Sequence, residues 1–349
     1  MDFHLFIIGN PISLAIAKHI ISRKKICRKN YLIITVRRAL ENQKENICSA
    51  ERLNINLQSK PPKSIRRSTR QLLRLELFRS VSKLSKGNRI HLYLTQTRNF
   101  SYNVLIDHPL VTRFSIIEDG SASYLHKAGA VSNSFKEYSE VLRRVLKFSQ
   151  TLLHQLTYGC STNYRHNSFT PKDAVEYHCL SHLCFPGISA QDKYIHDIFE
   201  VFSFVETQNQ NLFSYEHEDL VFLVLDQSIS SSEADIVSFL NFIIKKDMAN
   251  GKQLFVKLHP STKLTDLRRA KLVFNNKITL VPQHISLESI ATANNLRFIC
   301  VNSSIYIYLK ILGKNVCRIA PEQMPRDMRL LHTIKAQKHL EALFSQFSS

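Results

Sequence analysis

Short apolar runs, punctuated by turn residues and amphipathic stretches, organise this chain. Phe3 to Ile8 reads as a buried strand, Gly9-Asn10-Pro11 as a turn, and Ser13 to Ile21 as an amphipathic helix. Tyr31 to Val36 is a second strand. Helical spacing returns over 66–84, with arginines on one face and Leu72, Leu73, Leu75, Leu77 and Phe78 on the other. His91 to Thr95 and Phe114 to Ile117 read as further strands. Strand, turn, helix and strand in succession open a parallel α/β sheet.

The pattern then changes. Residues 135–157 have the spacing of a long amphipathic helix, with Val141, Leu142, Val145, Leu146, Phe148, Leu152 and Leu153 on its apolar side. Tyr158 to Ser168 is polar and irregular, and 175–215 shows no readable period. A fresh α/β unit starts with the apolar run Leu220 to Leu225. A helix at 232–246, a strand running into Lys257 and a helix at 264–271 follow. Strands at Ile278 to Val281 and Phe298 to Val301 and a helix from about Ser304 to Leu312 complete it. The expected division is a Rossmann-like domain over 1–215, a second over 216–330, and a helix over 331–349 that packs back. No internal repeat is visible.

At 349 residues the chain has room for two domains of ordinary size. Hydrophobic residues make up 44% and charged residues 21%, the balance of a globular protein rather than a disordered one. Lys and Arg number 47 against 28 Asp and Glu, a formal net charge of +19. Such an excess favours anionic partners. The basic residues cluster. Arg23, Lys24, Lys25, Arg28 and Lys29 follow the first helix, and Lys60, Lys63, Arg66, Arg67, Arg70 and Arg74 fill a second stretch. Two readings stand side by side: a solvated face, or a dock for an anionic inner-membrane surface.

The seven cysteines form no Cys-x-x-Cys pair, and Cys300 falls inside an apolar run. Buried free thiols in a reducing compartment are therefore expected. No window offers the roughly 20 uninterrupted apolar residues of a membrane span. The N-terminal stretch lacks the order of a signal peptide, because its basic residues follow the apolar part instead of preceding it. The expected location is cytoplasmic, either free or peripheral on the inner membrane.

Three apolar runs end in groups suited to chemistry, and strand ends are where open α/β sheets bind ligands. Ile116-Ile117 runs into Glu118-Asp119-Gly120, Phe255-Val256-Lys257-Leu258 into His259-Pro260, and Phe298 to Val301 into Asn302-Ser303-Ser304. A carboxylate, an imidazole and a hydroxyl pair ahead of a helix supply a base, an acid and a phosphate cradle. Each residue also has a plainer reading. Asp119 fits a turn, Glu118 a side chain directed into the structure, and Ser303 and Ser304 ordinary helix caps. Lys257 fits a solvated lysine and Glu288 a surface glutamate. Asp226, at the end of the strand opening the second unit, is a rival base. His108-Pro109 is a second His-Pro pair, but it precedes the acidic motif and lacks the upstream lysine, so it reads as a decoy.

This ordered set resembles the bacterial sialyltransferase and polysialyltransferase superfamily, which carries an acidic-acidic-Gly motif, a His-Pro motif and a Ser-Ser or Ser-Thr motif in that order. Pro282 with Ile285-Ser286-Leu287-Glu288 resembles the family's Pro and Ile-Ser-Phe-Glu stretch, and Tyr306 its aromatic after the serine pair. The likeness is fullest over 255–308, weaker over 116–124, and thin elsewhere. It implies an α/β, GT-B-like architecture of two Rossmann-like domains facing a central cleft. The first would hold the glycan acceptor and the second the CMP donor.

The resemblance further implies an inverting sialyltransferase. Sialic acid would move from CMP-sialic acid to a hydroxyl of a cell-surface glycan, either lipooligosaccharide or capsular polysaccharide. Asp119 would act as base and His259 as acid to the departing phosphate. Lys257, Pro260, Glu288, Ser303 and Ser304 would bind the donor, Glu288 through the ribose. Glu118, Gly120 and Asp226 complete the candidate set. The chain has no Asp-x-Asp motif, and CMP carries one phosphate, so no metal or other cofactor is expected. No Cys-His grouping has zinc spacing, and the glycine-rich dinucleotide fingerprint is absent. A CDP-glycerol polymerase is the rival enzyme, sharing the Lys-x-His-Pro element and a cytidine donor. A basic nucleic-acid-binding protein is the non-enzymatic rival. It lacks a recognisable module, so no nucleic acid partner is expected. A homodimer is left open.

Overall fold

The computed structural model describes residues 2–36, 45–53, 55, 57, 67–97, 100–120, 122–125, 174–205, 221–224, 254–257, 278–282, 285–291, 296–300 and 305–318. The chain divides into two compact units, Met1–Phe204 and Val205–Ser349.

The first unit is built on seven strands: β1 (Phe3–Ile8), β2 (Tyr31–Thr35), β3 (Ile47–Ser49), β4 (Ile90–Leu94), β5 (Val111–Ile117), β6 (Glu176–Cys179) and β7 (Lys193–Ile195). They lie in the order β3-β2-β1-β4-β5-β6-β7, every neighbouring pair parallel. Central parallel strands are covered on both faces, which is why β1 and β4 are nearly continuous apolar runs. Leu5, Phe6, Ile7 and Ile8 are buried, as are all five residues of β4. Five α-helices are described in this unit: α1 (Pro11–Arg23), α2 (Arg67–Ser85), α3 (Phe100–Ile106), α4 (Ala122–Leu125), and a later one that spans Ile198–Ser203 and packs on α1. Asn10 caps α1, its side chain accepting from the Ser13 N–H, and Pro11 opens the helix where a missing N–H costs nothing.

The second unit repeats the plan with β8 (Val221–Val224), β9 (Leu254–Lys257), β10 (Ile278–Leu280), β11 (Arg297–Cys300) and β12 (Val316–Arg318), ordered β10-β9-β8-β11-β12 and all parallel. Helices Leu287–Ala291 and Ile305–Ile311 belong to it. Strand order reverses between β1 and β4 in one unit and between β8 and β11 in the other. Such reversal points open a crevice beyond the carboxyl ends of the strands.

The strands read from apolar runs overlap β1, β2, β4, β5, β8, β9, β10 and β11, with β5 beginning three residues before the Phe114 start read from the sequence. The unreadable stretch 175–215 holds β6, β7 and the helix Ile198–Ser203. β6 alternates polar with apolar residues because one of its faces carries a buried polar array, which His196 joins just after β7. The anticipated helices at 135–157, 232–246, 264–271 and 331–349 lie outside the described residues.

That array runs across β1, β4, β5 and β6 and takes in His196 just after β7. Lys24, at the end of α1, donates to both carboxylate oxygens of Glu176 at 3.0 and 2.8 Å. His178 Nε2 lies 3.0 Å from Glu176 Oε2, and His196 Nε2 lies 3.0 Å from His178 Nδ1. On the other side, Ser115 Oγ donates to Glu176 at 3.4 Å, His91 Nε2 is 2.7 Å from Ser115 Oγ, and Tyr93 Oη is 3.1 Å from His91 Nδ1. His4 Nδ1 lies 3.3 Å from the same phenol oxygen. Burial pushes the imidazoles down, His4 to about 4, His196 to about 3 and His91 to about 2, and lowers His178 as well. They are therefore neutral. A carboxylate only accepts, so each neutral group must donate toward Glu176 and accept from behind. One carboxylate sets the polarity of the whole relay.

Candidate active site

In the first unit the candidate residues start at β5. After Ile117 the chain passes through Glu118 and Asp119 to Gly120, whose φ of +68° is left-handed and favours glycine. Glu118 is fully buried. Its N–H donates to the His178 carbonyl at 3.0 Å, and its carboxylate accepts the Leu180 N–H at 2.8 Å. This residue ties β5 to the chain leaving β6. Asp119 is half-buried on the opposite course. Its N–H donates to Ser123 Oγ at 2.8 Å, and its carboxylate accepts a hydrogen bond from the Asn10 side-chain amide.

Asn10 in turn is fixed by the start of α1. Its Oδ1 accepts from the Ser13 N–H at 2.8 Å, while Ser13 Oγ donates to the Glu118 carbonyl at 2.6 Å. The ends of β1 and β5 are thereby clamped together around the Asp119 carboxylate. Tyr102 of α3 is buried, and burial together with the Asp119 charge pushes its phenol well above the usual range. It stays protonated beside the carboxylate.

In the second unit the candidate residues start at β9, which ends at Lys257. The lysine is buried rather than solvated, with 6% of its surface exposed, and Nζ donates to the Pro282 carbonyl at 3.0 Å. Burial lowers its pKa to about 8, partly opposed by the Glu288 carboxylate. The Pro282 carbonyl also accepts the Ile285 N–H at 3.2 Å, a turn that leads into the helix Leu287–Ala291. Ser286 Oγ accepts the Ser289 N–H at 3.1 Å, capping that helix, and Glu288 sits half-buried in its first turn. Lys257, Pro282 and Glu288 thus share one neighbourhood. Tyr306 is buried within the helix Ile305–Ile311.

His259, Pro260, Ser303, Ser304 and Asp226 lie outside the described residues. The strands that precede them, β9, β11 and β8, end in register at one edge: Val224 pairs with Lys257 and with Cys300. His108, the decoy, is buried, with Nε2 3.1 Å from Ser82 Oγ and 3.0 Å from the Phe78 carbonyl, while Nδ1 accepts the Leu110 N–H. Its bonding capacity is spent on structure.

Sequence reasoning missed Asn10, Ser13, Ser123 and Tyr102. An Asn before a proline at the end of an apolar strand is a helix-cap signature, and that signal marks the β1 end, where Asn10 meets Asp119. Among the described residues no group of three or more His, Cys, Asp or Glu is arranged to hold a metal ion.

No protein-family model matches the chain, and no curated protein matches it either. Solved structures do. The GT-B domain of a sialyltransferase from Photobacterium damselae aligns with a TM-score of 0.55 at 14% identity, covering 97% of each chain. An S. aureus MnaA–UDP co-structure aligns at 0.53 and 13% identity, covering 100% of this chain and 91% of that one. A UDP-GlcNAc 2-epimerase from Neisseria meningitidis, bound to UDP-GlcNAc, aligns at 0.50 and 13% identity, covering 99% and 93%. Likeness at such identities establishes architecture: the chain has the α/β fold of the GT-B class, with two Rossmann-like units.

Proposed function

We propose that the protein is an inverting sialyltransferase that uses CMP-sialic acid and acts on a hydroxyl of a cell-surface glycan, lipooligosaccharide or capsular polysaccharide. The observation that carries the reading is buried Lys257 donating to the Pro282 carbonyl, at the turn that leads into the helix bearing Glu288. Two motif elements read separately in the sequence belong to one strand-end neighbourhood, where this fold class binds nucleotides. The GT-B likeness to a sialyltransferase supports it.

In this reading the acceptor hydroxyl gives its proton to Asp119 as its oxygen bonds to the anomeric carbon. The bond from that carbon to the CMP phosphate oxygen breaks, through an oxocarbenium-like transition state. Protonated His259 serves the departing phosphate, with the Ser303 and Ser304 hydroxyls and Lys257 beside it, and Glu288 holds the ribose. Asn10 keeps the Asp119 carboxylate aimed. No metal takes part, and the work is done on the cytoplasmic side of the inner membrane.

The test is to supply CMP-sialic acid, CDP-glycerol and UDP-GlcNAc separately, with a panel of galactosides and sialosides, and to follow nucleotide release and product mass. Release of CMP from CMP-sialic acid with a sialylated product is expected. Turnover of CDP-glycerol alone would assign the chain to the polymerase class. UDP-GlcNAc is included because two of the aligned structures hold UDP or UDP-GlcNAc.

A further inference from the structure

We infer that the amino-terminal edge of the seven-stranded sheet is a docking face for an anionic phospholipid bilayer, on the side of the unit opposite Asp119. The strands are parallel, so their starts share one edge, and the helices that return from the far edge end there. That edge collects Arg23 and Lys25 from the end of α1 and Lys29 from the turn before β2. It also collects Lys83 from the last turn of α2, and Lys86 and Arg89 from the approach to β4. All six are exposed, and none is in an ion pair among the described residues. They span the starts of β2, β1, β4 and β5, about 15 Å at the usual strand spacing. The carboxylates in that stretch are Asp2, already paired with Arg113 at 3.2 Å, and Asp107.

Beside this cationic row stand exposed apolar groups. Val175, just before β6, is 50% exposed, and Tyr194, whose ring lies under Lys24 Nζ at 5.9 Å, is 47% exposed. A basic row flanked by an aliphatic side chain and a tyrosine is the composition that settles at a headgroup layer. Docking here leaves the Asp119 edge free, since β1 carries the chain about 20 Å from one edge to the other. The inference stands apart from the transferase reading: vesicle binding without any sugar transfer would sink that reading and leave this one intact.

The experiment is co-sedimentation of the full chain with vesicles of one-third phosphatidylglycerol and two-thirds phosphatidylcholine, and with pure phosphatidylcholine. Binding to the first and not to the second is expected. Lys25→Gln with Lys29→Gln, and Lys86→Gln with Arg89→Gln, should each lower partitioning roughly 25-fold, from about fivefold per neutralised residue near an anionic surface. Arg52→Gln, which follows β3 at the opposite edge of the same sheet, should change it less than twofold (an order-of-magnitude expectation on the same basis). An equal loss per residue from all three variants would overturn the assignment to this edge. So would failure of the unmodified chain to bind anionic vesicles, or its release from them by short duplex DNA at physiological salt, which would mark a nucleic-acid surface instead. Unchanged thermal unfolding of each variant shows that the fold is intact.

Discussion

Asn10 donates its side-chain amide to the carboxylate of Asp119, a residue 109 positions away, while the other end of the same amide caps α1. One side chain therefore terminates a strand, starts a helix and aims the candidate base. The two duties separate by mutation. Asn10→Ser keeps a capping oxygen but is too short to reach Asp119, so stability should stay within about 0.5 kcal/mol of the parent. Turnover should fall at least about tenfold, as expected when a positioned base loses its orientation. Asn10→Ala should lose both, with about 1 kcal/mol of stability gone. Chemical denaturation and initial rates on the pair decide it; an active Asn10→Ser enzyme means Asp119 needs no help from β1.

The base and acid themselves give the sharpest contrast. Asp119→Asn and His259→Ala should each reduce transfer by roughly 10² or more, the scale of positioned acid–base groups, with CMP binding affected far less. Asp226→Asn should retain most activity. The opposite ranking of the two aspartates exchanges their roles.

Lys257 carries a pH signature. Its pKa in the folded protein is about 8, lowered by burial from an ordinary value of 10.5. Below pH 8 the amine is charged in both folded and unfolded chains, and its desolvation weighs on the fold. Between pH 8 and 10.5 the folded protein has released the proton and the unfolded chain has not, so this residue makes stability rise with pH. Donor binding should run the other way, because a neutral amine no longer attracts the phosphate. KM for the donor should climb through about pH 8 in the parent and stay flat in Lys257→Arg, whose side chain does not titrate. A flat parent profile removes Lys257 from donor binding.

The buried histidines make a different prediction. His91 and His196 sit at about 2 and 3 in the folded chain, against 6.5 when unfolded. The unfolded state binds more protons below pH 6.5, so stability must fall as the pH drops from there. Each imidazole contributes up to about 1.4 kcal/mol per pH unit. Urea midpoints should be level from pH 7 to 8 and decline steeply from pH 6 to 4. His91→Phe, if it folds, should show a shallower decline; an unaltered slope would falsify the neutral relay.

Transfer should survive EDTA. The proposed phosphate contacts are hydroxyls, an imidazolium and an ammonium group, which need no divalent ion. Strict loss of activity with chelator and rescue by Mg²⁺ would redirect the reading to a nucleoside-diphosphate donor.

Strands buried on both faces announce themselves, and β1, β4 and β11 were legible for that reason. The order of strands was not, because order depends on which neighbours pair. Strands β6 and β7 were hidden because Glu176 and His178 of β6 and His196 just after β7 belong to a polar layer inside the fold, which sequence patterns register as surface. In the candidate site, Asp119 and Lys257 were legible as residues but not as environments. Burial of Lys257 needs β10 and Pro282 beside it, and aiming of Asp119 needs β1 beside β5. Both are long-range facts that no local spacing carries.

The relay through Glu176 also constrains how this chain can change. Each interior member donates forward and accepts from behind, so altering one leaves two neighbours mismatched in a layer where His91, Ser115 and His178 are buried. Substitutions there will be strongly non-additive. A lineage would replace that layer as a set or leave it alone, and the heritable unit on that face of the sheet is the array, not the residue.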